Sequence, residues 1–257
     1  MNNVICAIAK NENLYINDWV NWHLNLGFDK IYLYDNNDIT TPFVGDFIEQ
    51  IDKIKIIDVR GMHEQSFQIK CYNEFYNSHE FDWCAFIDID EFIILNKWKN
   101  IQEFVSDPIF KDAQVIKLNW HLYGDDDLIE RDMTLPIYQG ITKWINHSYN
   151  SHGKEIIRGG LQGLKIESTH WSTVNGNLSY QIMPDGRQTF GKVHSHKNCN
   201  EAWVNHYITK TLSEYVNQKL YRGDACILNR NLGMQYYWDV NRKTPEKLQW
   251  LKENGYD

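Results

Sequence analysis

Apolar residues in the first third of the chain change spacing several times, and each change marks an element. Val4 to Ala9 is an unbroken apolar run closed by Lys10-Asn11-Glu12, the pattern of a buried strand. From Ile16 the apolar positions fall at Trp19, Val20, His23 and Leu24, one face of a helix, and Gly27 stands where a C-terminal cap is expected. Ile31 to Tyr34 predicts a second strand, stopped by Asp35-Asn36-Asn37, whose short polar side chains bond their own backbone in turns. Ile54 to Val59 predicts a third. Within Glu64 to Ser78, Phe67, Cys71 and Phe75 recur about one turn apart, a second amphipathic helix, and Trp83 to Ile87 is a short strand-like run that ends at Asp88. Strands alternating with helices predict βαβ units and a mainly parallel sheet covered on both faces, the α/β class. Ligands of such sheets bind beyond the carboxyl ends of the strands. That rule marks Lys10 to Glu12, Asp35 to Asn37 and Asp88 to Glu91 before any chemistry is considered.

Beyond Ile94 the pattern loosens. A helix is expected near Ile101 to Val105 and a strand at Val115 to Trp120, followed by an acidic loop, Asp125-Asp126-Asp127. Short strands are expected at Glu155 to Arg158, Leu164 to Glu167 and Thr189 to His194. A long helix is expected from Glu201 to Leu220, carried by Trp203, Tyr207, Ile208 and Leu212. The aromatic tail from Gln235 to Asp257 reads as packing back on the domain or on a partner surface. No repeat and no linker interrupts the chain, so a single domain over residues 1–257 is expected.

Composition removes several function classes. With 26 Lys plus Arg against 34 Asp plus Glu, the chain carries a formal charge of −8. Its basic residues are also dispersed, which argues against nucleic-acid backbones, where affinity comes from lysine and arginine. Hydrophobic residues at 42% and charged residues at 23% fit an ordinary folded domain and not a disordered or repetitive one. The five cysteines form no C-x-x-C pair, and an odd number cannot all pair within one chain, so reduced cytosolic thiols are expected and no zinc framework. Val4 to Ala9 is too short for a signal h-region and no later run approaches a membrane span. The expectation is a cytoplasmic protein, with work at the inner face of a membrane left open, as is the oligomeric state. Ten Trp, 15 Tyr and 11 Phe hint at a ligand with stackable faces, as sugars and nucleotides have.

Asp88-Ile89-Asp90-Glu91 is the strongest chemical signal. Residues i and i+2 of an extended chain point to one side, so Asp88 and Asp90 converge while Ile89 faces the core. Two carboxylates held together need a cation or a proton, and a divalent ion shared with substrate phosphates is the usual solution. The plainer alternative is an exposed turn in which Asp90 caps a helix starting at Glu91.

Around this motif the sequence resembles the family 2-like and family 92-type glycosyltransferases of the GT-A fold. The matching segments, in order, are Ala7 to Glu12, Trp19 to His23 through Gly27, Ile31 to Asn36, Gln68 to Tyr72, Phe86 to Phe92, His206 to Thr211 with Glu214-Tyr215, and Lys219 to Gly223. The resemblance implies a mostly parallel central sheet flanked by helices, with a nucleotide-sugar-binding half at 1–120 and an acceptor-binding half at 121–257. It implies a UDP-sugar donor, a divalent metal, Mn2+ or Mg2+, and a saccharide or lipid-linked saccharide acceptor. Inverting transfer in surface polysaccharide or glycoconjugate biosynthesis is the expected activity.

The resemblance also distributes roles. Asp90 is expected on the metal, and Asp88 on the metal, a metal-bound water or the donor ribose. Ala7, Lys10, Asn11, Glu12, Asp35 and Asn36 are expected to hold the nucleoside, with Asp35 accepting a uracil ring proton; for Lys10 and Glu12 the alternative is a surface ion pair. Gln65 and Lys70 are expected to reach the donor, against a solvated helix face. A late histidine is expected to complete the metal site, with His170 and His206 ahead of His194 and His196. Asp125, Asp126 and Asp127 are expected to supply the base that takes the acceptor proton, against a solvated acidic loop. Trp120, His121 and Tyr123 offer stacking faces for an acceptor sugar, and Lys154, Arg158 and Lys165 offer charges for an acceptor pyrophosphate. Two rivals stand: a sugar nucleotidyltransferase, disfavoured because Ala9 to Glu12 lacks a glycine-rich phosphate loop, and a noncatalytic carbohydrate-binding protein.

Overall fold

A computed structural model describes residues 1–191, 199–220 and 232–256. The chain opens with β1 (Asn3–Ala9), α1 (Asn13–Asn25), β2 (Lys30–Asp35), β3 (Ile54–Asp58), α2 (Phe67–Ser78) and β4 (Trp83–Phe86). β1 is buried at every position, which is why its sequence is apolar without alternation. It pairs in parallel with β2 on one side and β4 on the other, and β2 pairs in parallel with β3. The predicted α/β layering with a parallel block is therefore present, and the carboxyl ends of β1, β2 and β4 share one edge.

Next come β5 (Glu91–Leu95), α3 (Ile101–Val105), β6 (Val115–Tyr123), α4 (Ile137–Gly140), β7 (Trp144–Ile145) and β8 (Gly153–Arg158). β8 inserts between β4 and β6 and runs against both. Gly153 permits this approach, because a Cβ there would lie 1.9 Å from the Leu118 carbonyl oxygen. β9 (Leu164–Ser168), β10 (Trp171–Val174) and β11 (Asn177–Leu178) form a separate three-stranded sheet. β12 (Gln181–Ile182) and β13 (Gln188–Thr189) close the edge beyond β6. The chain continues with β14 (Ala202–Tyr207), α5 (Leu212–Glu214), α6 (Gly233–Val240) and α7 (Pro245–Glu253).

Three expectations change. The helix expected from Glu201 to Leu220 is mostly strand: β14 pairs antiparallel with β5 and parallel with β6. Its residues are nearly all buried, so polar alternation is lost and the helix-like spacing of its apolar residues is fortuitous. Helical structure is confined to α5 and a single π-helical turn, Tyr215–Lys219. Glu91 begins a strand, so Asp90 caps no helix. Thr189 ends β13, residues 190–191 are not strand, and residues 192–194 of the strand expected there, with His194 and His196, lie outside the described residues. The aromatic tail does pack back: Tyr237 and Leu251 share a small core with Leu212, Tyr215, Val216 and Leu220.

The amphipathic face of α1 does more than fill space. Its Trp19 indole N–H donates to the carbonyls of Asp88 (3.1 Å) and Glu91 (2.8 Å), and Trp22 donates to Ile93 O at 2.9 Å. His23 lies 2.8 Å from Trp19 O through Nδ1, while Nε2 accepts the Ile93 N–H at 3.3 Å, which requires the neutral tautomer. α1 thus holds both sides of the Asp88 to Glu91 turn.

Burial pushes the His23 imidazole down to about 3. A histidine with a depressed folded pKa contributes stability that is present above its unfolded pKa and is lost as pH falls toward the folded value. Acid thermal melts should show it: between pH 6.5 and 4, His23→Gln should lose less stability than wild type, by up to about 1.4 kcal/mol per pH unit. Parallel pH profiles for the two proteins would remove His23 from the account.

Candidate functional site

The turn from β4 to β5 carries the two acids to the carboxyl edge of the parallel block. The Asp88 N–H donates to Glu91 Oε2 at 2.8 Å, and the Glu91 N–H returns to Asp88 O at 3.1 Å. Ile89 is buried in the core between the two acids. Asp88 Oδ1 accepts from Gln68 Nε2 at 2.7 Å and Oδ2 from Lys154 Nζ at 2.6 Å. Every polar atom of Asp88 is held, yet its side chain stays 35% exposed toward the edge.

Asp90 is buried. Its Oδ2 accepts from Lys219 Nζ at 2.7 Å, and Lys219 also donates to Ile208 O at 2.5 Å. Burial opposes ionisation of Asp90, but Lys219, His206 and Lys210 outweigh it and hold the carboxyl well below its usual range. His206 Nε2 stands 3.6 Å from Asp90 Oδ1. That separation is too long for a hydrogen bond. It matches two ligands of one divalent ion, which, at about 2.0–2.2 Å from the ion, stand about 3.0–3.6 Å apart. Burial pushes the His206 imidazole down, toward the neutral form a ligand needs, and its Nδ1 has no partner among the described residues. The Trp120 ring packs on it with centroids 4.3 Å apart. Asp90 and His206 therefore have the donor types and spacing of two ligands of a divalent cation, with Asp88 on the same turn.

Glu91 is the third acid of the turn and has no exposed surface. Burial, only partly offset by Lys154 at 3.4 Å, pushes its carboxyl up to about 8. A second charged group lies behind Asp90. Lys210, in the left-handed backbone region at φ 60, donates to Glu12 at 2.7 Å and sits 3.9 Å over the Tyr15 ring. Burial lowers its ammonium to about 7. Glu12 is therefore in a buried pair and not the surface pair considered from the sequence.

The nucleoside candidates divide. Lys10 is half-buried beside His63, 3.4 Å away, and the Asn11 N–H donates to Asn37 Oδ1 at 2.6 Å. Asp35 is fully buried, with its oxygens accepting the Val44 N–H (2.9 Å) and the Asn37 N–H (3.1 Å). Burial pushes its carboxyl up. Asn36 donates to Met62 O at 2.6 Å. Asp35, Asn36 and Asn37 thus knit the loops after β1, β2 and β3 into one rim. Ala7 is corrected: at the centre of β1 and with no exposed surface, it has nothing to offer a ligand. Gln65, in the turn before α2, and Lys70, on α2, are exposed, and Lys70 pairs with Glu64 at 2.7 Å in solvent. Gln68, one turn on from Gln65, is the α2 residue that reaches Asp88.

His170 is displaced from the metal set. Its Nδ1 lies 3.0 Å from Gly153 O, and among the described residues no carboxylate is within ion-pair distance of it. Burial and the nearby Lys154 push it down to about 2. The acidic loop is engaged throughout. Asp125 is buried against the Tyr237 hydroxyl and the Lys247 ammonium, and its N–H donates to Asn241 at 2.7 Å. Asp126 accepts the backbone N–H groups of Thr142 and Lys143, and Asp127 pairs with Arg242. A carboxylate shared between a phenol and an ammonium in the interior must break both contacts to meet an acceptor hydroxyl. This geometry fits an anchor for α6 and α7 and replaces the catalytic-base reading of the triplet.

Of the proposed sugar platforms, Trp120 and His121 are buried, His121 between the rings of Trp144 and Trp203, and Tyr123 packs on Tyr207. Lys154 is drawn into the site, Arg158 donates to the carbonyls of Phe110 and Ala113, and Lys165 pairs with Glu167. Elsewhere, Asp185, Cys199 and Glu201 bring ligand atoms within 4.8 Å of one another. Arg187 pairs with Asp185 there, and the Cys199 thiol, raised to about 11 by burial, donates to Glu201. No described helix is long and apolar enough to cross a membrane.

The chain was compared with known proteins. The model of glycosyltransferase family 92 matches residues 4–243. A glycosyltransferase family 92 protein of Ricinus communis is 26% identical over 132 residues, 48% of this chain and 23% of that protein. The chain thus spans about a quarter of that relative's length. Among solved structures, the complex of S. aureus TarS 1-349 with UDP-GlcNAc shows 15% identity over 63% of this chain and 46% of the other, at a TM-score of 0.40. HddC from Yersinia pseudotuberculosis shows 12% identity over 99% of both chains, at a TM-score of 0.34. At these scores neither likeness bears on the chemistry.

Proposed function

The chain belongs to glycosyltransferase family 92, and on that premise we propose that it transfers a sugar from a UDP-sugar to a saccharide or lipid-linked saccharide, in surface polysaccharide or glycoconjugate assembly. The observation that supports this best is the Asp90 and His206 pair, 3.6 Å apart beside a half-open Asp88, at the carboxyl edge of a parallel block. Asp90 and His206 would hold Mn2+ or Mg2+, with Asp88 meeting the donor ribose or a water on the ion. When bound, the cation stabilises the negative charge that develops on the departing diphosphate. The chain's own residues do the rest. Gln68 and Lys154 fix the direction of the Asp88 carboxylate, Lys219 fixes that of Asp90, and α1 fixes the turn between them. The rim built from Lys10, Asn11, Asp35 and Asn36 borders the nucleoside. Inversion at the anomeric carbon stays part of the proposal, with its base assigned outside the loop at Asp125 to Asp127.

The family assignment sets aside a sugar nucleotidyltransferase, and a noncatalytic carbohydrate binder has no use for the paired acids. A thermal-shift panel tests the donor. UDP-sugars and UDP are expected to raise the melting temperature in Mn2+ and not in EDTA, by several degrees at saturating ligand. No metal-dependent shift with any UDP compound would overturn the donor assignment.

A further inference from the structure

Each acid of the turn has its own buried lysine. Lys154, on β8, meets Asp88 at 2.6 Å, and Lys219, closing the π-helical turn, meets Asp90 at 2.7 Å. Their side chains are 1% and 8% exposed, so solvent screens neither contact well. We infer that Lys154 and Lys219 are built-in counter-ions of the Asp88 and Asp90 pair, so that the free protein holds a divalent cation weakly and the cation enters with the donor diphosphate. This rests on the donor and cation reading above.

The charge balance carries the inference. Three carboxylates, Asp88, Asp90 and Glu91, against two ammoniums leave a formal charge of −1 where a divalent ion would otherwise meet −3, since Lys154 also lies 3.4 Å from Glu91. Of the other charges packed near the turn, Glu12 pairs with Lys210 and Glu214 with Arg131. Among the described residues, then, the two lysines offset two of the three negative charges of the turn. A UDP diphosphate supplies about two, and its oxygens are the ligands that a cation held by one or two protein carboxylates ordinarily recruits. Lysine, a compact point charge, neutralises a carboxylate without filling the lone pairs that face away from it. Asp90 Oδ1 and His206 are thus left for the ion once the diphosphate brings it.

Mn2+ titration followed by electron paramagnetic resonance tests this on the 257-residue protein, with and without UDP. Wild type is expected to bind Mn2+ weakly alone and at least about 100-fold more tightly with UDP, the scale of a two-charge change in a partly buried site. Lys219→Gln keeps a donor for Asp90 and removes the charge. It is expected to tighten nucleotide-free Mn2+ binding at least about tenfold, with Lys154→Gln as an independent second variant and melting curves to establish that each is folded. Tight nucleotide-free binding by wild type overturns the inference alone. So does unchanged or weaker binding in both folded variants, the result of lysines that serve structure only. Absence of Mn2+ binding even with UDP overturns the cation reading itself and the inference with it.

Discussion

Asp125→Asn is expected to lower the melting temperature by about 6–20 °C while leaving turnover, measured well below the transition, within about threefold of wild type. Asp125 and Lys247 are both buried, and Lys247 joins α7 to the loop after β6. Removing one partner of a buried ion pair strands the other charge, at a cost of about 3–5 kcal/mol. In a domain of this size each kcal/mol moves the transition by about 2–4 °C. The Tyr237 hydroxyl loses its carboxylate acceptor in the same step, and that tyrosine is central to the small core under α6. A catalytic base behaves in the opposite way. Its removal costs about 10²–10⁴-fold in rate and leaves the melting temperature nearly unchanged. Calorimetry beside an initial-rate assay separates the two, and a large loss of rate at unchanged stability would return Asp125 to the chemistry.

Asp90→Asn is expected to reduce UDP release from a UDP-sugar by about a thousandfold, the scale on which removing a preorganised electrostatic group acts. The amide keeps the shape but gives up the charge that attracts a cation and pairs with Lys219. Some stability is lost as well, because a buried ammonium is left facing an amide. Melting curves for this variant set the temperature at which its rate is read. Asp90→Glu is the complementary control: it restores the charge but displaces the oxygen that now stands 3.6 Å from His206.

Both expectations rest on contacts that differ in how far the sequence discloses them. The strand-end acids were legible because an apolar run ends at Ile87; the extended i and i+2 geometry expected for them is replaced by a turn, closed by the Glu91 N–H on Asp88 O. The amphipathic face of α1 was legible as burial. That Trp19, Trp22 and His23 aim their ring nitrogens at the backbone of the turn was not, since periodicity reports a face and not a direction. Lys154 and Lys219 stand 66 and 129 residues from the acids they meet, and no local pattern links them. Gln68 carried a faint signal, one turn from the Gln65 singled out and inside a family-like segment. The acidic loop was found in its expected place but given the wrong partners, because Tyr237 and Lys247 come 112 and 122 residues later. β14 was read as a helix for a related reason: a strand buried on both faces has no alternation to display.

The cation-assisted donor site at Asp90 is the centre of the account, and UDP release from a UDP-sugar tests it most directly. Initial rates are measured for wild type in Mn2+, in EDTA, and in EDTA with Mn2+ restored, beside Asp90→Asn in Mn2+. Release is expected in Mn2+, with near-complete loss in EDTA, recovery on restoring Mn2+, and a rate for Asp90→Asn near the EDTA level. Release that continues undiminished in EDTA, or that survives in Asp90→Asn, would contradict that expectation.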